Sequence, residues 1–471
     1  MTAITRRLSE FVAEISHDQL PAEVRERAKL LVADHVGIAV RARQEAESTP
    51  SLLAAVRTLG LAQGAASVVA DVGHYSPPGA ALINGTLAHS LDFDDTHARG
   101  SIHPSAPIVP AALAAAEMTG ANGREVIAGI VAGYEVQIRL SLALVPKDHY
   151  DRGFHPTATC GVFGAAAAAA RVFGLPADQV ANAFGICLSQ AAGSMQYLLE
   201  GAWTKRFHVG YAAMNGLIAA SFAREGFKGA VEAIEGKAGF LKSYAPNPIF
   251  ENATARLGEV YETMAIAVKP YPCCRYSHAA IDALVELRAT NDIDPEEIKS
   301  VEVGLPHAGW KLIGDPEEAK QRPQNVVDGQ FSMPFLAAVT LREGGMNWDH
   351  YARHLGDADT LSLCKRVRSV VDPQAEAEFP AQMSGVARVR TPRALFEKFV
   401  AVPKGEPENF LMPAELRAKF DGLVAPYLSE GRRDALTAAL LLLEQADDIS
   451  AVLRLTRPDR TPSLQAAAGA G

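Results

Sequence analysis

Between residues 6 and about 265 the apolar residues recur at helical spacing, and many of them are alanine or glycine. Val162–Val172 reads V-F-G-A-A-A-A-A-A-R-V, and Ala112–Met118, Val126–Val136 and Ala212–Phe222 repeat the style. Pro21–Val40 places Val24, Ala28, Leu31, Val32 and Val36 on one face, with Pro21 near the first turn. Side chains this small let helix backbones approach closely. The pattern predicts a compact helical bundle rather than a sheet protein.

The texture changes near Met264. Ala265–Val268 is short and apolar, and Lys269–Arg275 follows as K-P-Y-P-C-C-R. A helix is expected over His278–Thr290. Val301, Val303 and Leu305 then alternate with Glu302 and Gly304, a strand signal. Another helix is expected near Phe331–Arg342, and paired strands at Ala387–Thr391 and Phe396–Val402. Helical patterning returns at Pro413–Ala446, and Arg457–Gly471 is polar, then rich in alanine and glycine. The expectation is a mainly α protein: a large all-helical domain over 1–265 and 406–455, a smaller inserted α/β domain over 266–405, and a flexible tail over 456–471. A chain of 471 residues has room for two or three domains.

Composition removes several functions. Net charge is −9 and no basic stripe occurs, which argues against a nucleic-acid partner. The runs Val162–Ala170 and Ala435–Leu443 fall short of the ~20 residues a spanning helix needs, so no membrane role is expected. The N-terminus lacks an apolar signal core. Five cysteines are present, two of them adjacent (Cys273 and Cys274), and no C-x-x-C spacing occurs. That disfavours a disulfide framework, structural zinc or an iron–sulfur cluster, and fits a reducing cytoplasm.

Polar residues concentrate in a few places. Leu91–His97 reads L-D-F-D-D-T-H and Ser101–Ser105 reads S-I-H-P-S, so Asp92, Asp94, Asp95, Thr96, His97 and His103 crowd one segment after the apolar run I-N-G-T-L-A-H-S. Charge that dense beside buried surface is costly unless it is paired or used. A helix end would also account for it, with aspartates as caps and Pro104 and Pro107 as stops. G-F-H-P-T at Gly153–Thr157 puts His155 before a proline, where helical geometry is disfavoured. T-K-R-F-H-V-G at Thr204–Gly210 carries two cations and His208, an anion site or an ordinary exposed turn. Lys269 and Arg275 bracket the K-P-Y-P bend, with His278 a helical turn beyond; either cation could grip a carboxylate. Cys273 and Cys274 read as small buried fillers. No dinucleotide fingerprint, P-loop or nucleophile elbow is present.

Taken together, N-G-T-L-A-H-S-L-D-F-D-D-T-H, G-F-H-P-T, T-K-R-F-H-V-G, the K-P-Y-P junction and K-G-E-P-E-N-F at Lys404–Phe410 resemble, in order and spacing, the MmgE/PrpD family over residues 5–455. Its members include 2-methylcitrate dehydratase, cis-aconitate decarboxylase and iminodisuccinate epimerase. The resemblance implies a large helical domain with a smaller α/β lid, usually as a homodimer. It implies a catalytic set of Asp92, His103, His155, Lys205 and Lys269, with Thr96, Lys205 and Lys269 binding substrate, and neither a metal nor a cofactor; Arg275 and His278 join the expected substrate-binding residues from their place at the bend alone. Two departures stand out. Phe335 in F-S-M-P-F occupies a tyrosine position of the decarboxylase branch, and K-P-Y-P-C-C-R-Y-S-H differs from the P-A-E-F-H junction of dedicated methylcitrate dehydratases.

These reactions share one problem: a carbanion-like centre must form beside a carboxylate. Lysines suit the charge, and histidines suit the proton. The expectation is therefore a cofactor-independent lyase, foremost a hydro-lyase, on a small di- or tricarboxylate. An epimerase or decarboxylase on a similar acid is the alternative within enzymes, and a non-catalytic carboxylate-binding homologue the alternative outside them.

Overall fold

The computed structural model describes residues 3–459, apart from the side chains of residues 199 and 200. The chain divides into two compact units, Met1–Ala267 with Ala414–Gly471, and Val268–Pro413. Most of the expected tail, residues 460–471, lies outside the described residues. Its first part is not loose: Thr456 is buried, and its hydroxyl accepts a hydrogen bond from the Ala70 amide at 2.9 Å.

The first unit is a helical bundle built as its small residues dictate. Thr204–Arg224 packs against Pro77–Ala88 and Gly161–Val172, and Gly161–Val172 packs against Gly123–Leu144. Two glycines make the first crossing. A Cβ on Gly85 would lie 2.8 Å from the Gly210 Cα, and one on Gly210 would strike the Leu82 carbonyl oxygen and the Thr86 hydroxyl. Only glycine permits that approach.

Gly123–Leu144 is long and apolar enough to cross a membrane, contrary to the expectation that the apolar runs are too short. Here it is a core helix, with 94% of its most apolar window buried. Its two buried charges are paired inside the unit. Glu135 takes Arg139 Nε at 3.2 Å, the Glu262 amide at 3.1 Å and the Thr263 amide at 2.9 Å. The C-terminal return is anchored likewise. Lys419, on helix Pro413–Val424, sits 2.5 Å from Asp34, donates to the Phe93 carbonyl at 3.0 Å and lies 4.0 Å from the Phe93 ring centroid.

The second unit holds a four-stranded sheet in the order Val367–Val371, Ser300–Leu305, Gly385–Arg390, Leu395–Val400. The first pair is parallel and the others antiparallel. Val367–Val371 was not expected as a strand. It is an edge strand, V-R-S-V-V, too short to alternate clearly. Helices His278–Asn291 and Met333–Glu343 pack against each other. Met333–Glu343 begins two residues later than expected, because Ser332 Oγ caps it by accepting from the Phe335 amide at 3.1 Å. Phe335 is fully buried, its ring 5.9 Å from that of Tyr351 and nearly parallel to it. Cys273 and Cys274 are buried fillers of this core, as expected.

Candidate active site

Helix Pro77–Ala88 ends at His89, and the chain then turns through Leu91–Asp95. Asp92 sits at φ +51°, a left-handed conformation that an aspartate tolerates better than most residues. Strand Thr96–His97 pairs with Ile266–Ala267, and a new helix starts at Ser105.

The three aspartates of this turn separate in function. Asp95 is a cap: its carboxylate accepts from the Ser105 amide at 3.1 Å and from the Ser105 hydroxyl. The helix-end reading holds only in part: Asp95 satisfies the first amide of the following helix from outside its cap position, which is Pro104, and Pro107 lies inside that helix rather than stopping one. Burial, with Asp94 and Asp34 adding to it, pushes the Asp95 carboxyl up to about 8. Asp94 Oδ2 lies 2.7 Å from His89 Nδ1 and 3.3 Å from His103 Nδ1. Burial works to raise the Asp94 pKa, but the two imidazoles overcome it and hold it well below the usual range. Asp92 Oδ1 accepts from Lys205 Nζ at 2.7 Å. Burial alone would lower the lysine pKa; Asp92 outweighs it and keeps Lys205 cationic.

His103 Nδ1 also lies 2.9 Å from the Asp95 carbonyl oxygen. A ring nitrogen that faces two acceptors carries the proton, so His103 presents Nε2 as its basic atom. The same argument fixes His89 with its proton on Nδ1. The two rings meet edge to face at 4.6 Å. Burial drives the His89 pKa down to about 4, with Lys205 and His103 adding to it, so the ring is neutral at pH 7. Among the described residues, His89 Nε2, Asp94 Oδ1 and Thr96 Oγ1 are buried and have no hydrogen-bond partner.

His155 caps the short helix Pro156–Thr159, outside the helix interior as its proline requires. Its amide donates to the Gly193 carbonyl at 3.0 Å. The ring lies 6.1 Å from His89, nearly parallel to it, and its Nδ1 is 3.4 Å from His208 Nδ1. Burial, then the neighbouring His89, Lys205 and His208, keep His155 well below the ordinary histidine range. Lys205 and His208 stand in the first turns of helix Thr204–Arg224, not on an exposed turn. Tyr197 faces both His155 and His208 edge-on, at 5.9 and 5.7 Å.

Asp92, Thr96, His103, His155 and Lys205 therefore all lie in the first unit, Asp92 paired with Lys205 and His103 joined to His155 through His89. Lys269, Arg275 and His278 belong to the second unit. Lys269 and His278 are buried there. Glu406 grips one edge of the Arg275 guanidinium through Nε and Nη2, with Nε–Oε1 at 2.7 Å, so its expected role as a substrate clamp meets a resident carboxylate. His97 is structural: Nε2 lies 3.2 Å from Glu262, and Nδ1 accepts from the Gly100 amide at 2.9 Å. His89, Asp94, Tyr197 and His208 were not among the expected site residues. The H-x-x-x-x-D spacing of His89 and Asp94 across a helix end was the available signal.

His89, Asp94 and His103 also form a candidate cation set, their ligand atoms within 4.8 Å of one another. The fit is poor, because Asp94 Oδ2 and the two Nδ1 atoms already satisfy each other.

The MmgE/PrpD N-terminal domain model matches residues 6–253, and the MmgE/PrpD C-terminal domain model matches residues 271–445. The cis-aconitate decarboxylase-like protein oryM of Aspergillus oryzae is 28% identical over 96% of this chain and 97% of its own length. Cis-aconitate decarboxylase of Aspergillus terreus is 27% identical over 98% of this chain and 97% of its own, and the Homo sapiens enzyme of that name 25% identical over 82% and 81%. With both domain models matched in tandem along nearly the whole chain, this protein belongs to the MmgE/PrpD family.

Proposed function

We propose that this protein is a lyase that forms and protonates a carbanion next to a carboxylate of a small di- or tricarboxylic acid. The observation that carries the reading is the Asp94 carboxylate shared by His89 and His103, with the Lys205–Asp92 pair on the same turn. Lys205 has donors left after Asp92 and supplies positive charge to a carboxylate that becomes dianionic in the transition state. His103, oriented through Nδ1, offers Nε2 for the proton, and the neutral His155 is the second proton carrier. Asp94 steadies the positive charge that His103 acquires. Thr96 Oγ1, buried and unpartnered, is available to hydrogen-bond the substrate.

Loss of carbon dioxide needs only proton delivery to the carbanion. Loss of water needs a second donor for the leaving hydroxyl, and epimerisation a donor on the opposite face. The names of the relatives favour decarboxylation as the first reaction to test, ahead of the dehydration that the motifs alone put first. The test is a panel of cis-aconitate, citrate, methylcitrate and aminosuccinate-type acids followed by proton NMR in deuterated water. Carbon dioxide release, an alkene product or inverted stereochemistry identifies the reaction. Absence of any product and of any C–H exchange across the panel would leave the chain as a carboxylate binder.

A further inference from the structure

His208 takes no part in the chemistry above, yet it makes the closest polar contact of the His155 ring recorded among the described residues, Nδ1 to Nδ1 at 3.4 Å. His155 is 1% exposed, whereas His208 is only partly buried. Two neutral imidazoles meeting Nδ1 to Nδ1 share one hydrogen: if one nitrogen donates, the other must accept. The rings therefore hold opposite tautomers. Tyr197 stands edge-on to both and confines them. The nitrogens left over are Nε2 of the buried His155 and Nε2 of the partly buried His208.

We infer that His208 is a positioning residue that sets the tautomer of His155 and relays its proton to solvent. In the direction of abstraction, His155 Nε2 takes the proton from substrate carbon, leaving the electron pair on the carbanion. His155 Nδ1–H passes its proton to His208 Nδ1, and His208 Nε2–H releases one to water. Protonation of a carbanion runs the same steps backwards, with water supplying the proton at His208 Nε2. After product leaves and water enters the emptied site, His208 Nε2 takes up a proton, its Nδ1–H returns to His155 Nδ1, and His155 Nε2–H is released to that water, which restores the starting tautomers. No net charge stays on the buried ring in either direction, which matters because burial disfavours an imidazolium there. Burial also lowers the His208 pKa, consistent with a neutral resting pair.

This inference rests on the lyase reading for its kinetic arm alone. Its substrate-free arm is ¹⁵N NMR of the histidine-labelled full chain near pH 7. One ring should be protonated at Nδ1 and its partner at Nε2, and both rings protonated only at Nε2 would overturn the pair. The kinetic arm uses His208→Asn, whose amide occupies the Nδ1 position and can bond to His155 but cannot relay. Turnover should fall on the order of a hundredfold in dilute buffer, recover with added imidazole, and leave product affinity unchanged. Wild-type turnover in that variant, or a loss that imidazole does not restore, would refute the relay. A wild-type chain inactive on every acid tested counts against the lyase assignment, while the NMR arm still decides the histidine pair.

Discussion

Asp92, Asp94 and Asp95 lie within four positions of one turn, yet one pairs a lysine, one orients two imidazoles and one caps a helix. Their substitutions should separate accordingly. Asp94→Asn should lower turnover by two to three orders of magnitude, because both rings lose the carboxylate that orients them, with product affinity within about threefold of wild type. Lys205→Ala should do the reverse and weaken product binding first, a difference that calorimetric titration reads directly. If Lys205→Ala binds product as tightly as wild type, Lys205 is not a carboxylate ligand. Asp95→Ala should act on stability, costing about 1–2 kcal/mol for the lost cap. Turnover should survive exhaustive chelation, since Asp94 Oδ2 already pairs with Nδ1 of both His89 and His103; loss of activity restored by a divalent metal would reverse that view.

At the scale of elements, the site depends on one helix crossing. Helix Pro77–Ala88 ends at His89 and helix Thr204–Arg224 carries Lys205 and His208, and Gly85 and Gly210 let the two backbones touch. A methyl at Gly210 would meet a backbone carbonyl that has no room to yield. Gly210→Ala should therefore destabilise the fold by about 1–3 kcal/mol or more and lower turnover further than the stability loss explains, by moving Lys205 away from Asp92. Denaturant titration beside kinetics under folding conditions tests this. A variant of wild-type stability would mean that the crossing relaxes freely.

For the whole molecule, buried neutral histidines dictate the acid limit. Burial lowers His35, His89 and His149 to about 3, 4 and 4. Neither ring nitrogen of His35 has a hydrogen-bond partner. In the unfolded chain these rings take up protons near pH 6.5, but the folded chain refuses them until far lower pH. Their stabilisation is thus complete above about pH 6.5 and fades as pH falls toward 4. Asp95, raised to about 8, runs the other way and offsets part of the effect, because the folded state holds its proton over the same window. The melting temperature should fall between pH 6.5 and 4.5, and His35→Leu should flatten that slope by about one proton. An unchanged slope in that variant would show that His35 is protonated when folded.

The sequence alone determined many of the elements, because their signals are local, though not the short edge strand Val367–Val371. A period of 3.6 residues marks the helices and a period of 2 the strand Ser300–Leu305, while Pro156 already keeps His155 out of a helix interior. Motif order was enough for the family. It could not show partners, since Asp92 and Lys205 are 113 residues apart and His155 and His208 are 53 apart. Only the tertiary structure decided which aspartate serves which cation, that Glu406 already holds Arg275, and that His89 and His208 stand among the chemical residues. The physical reason is that burial and close approach, not residue type, set the protonation state and tautomer of a side chain. Those follow from contacts that form only when distant helices pack.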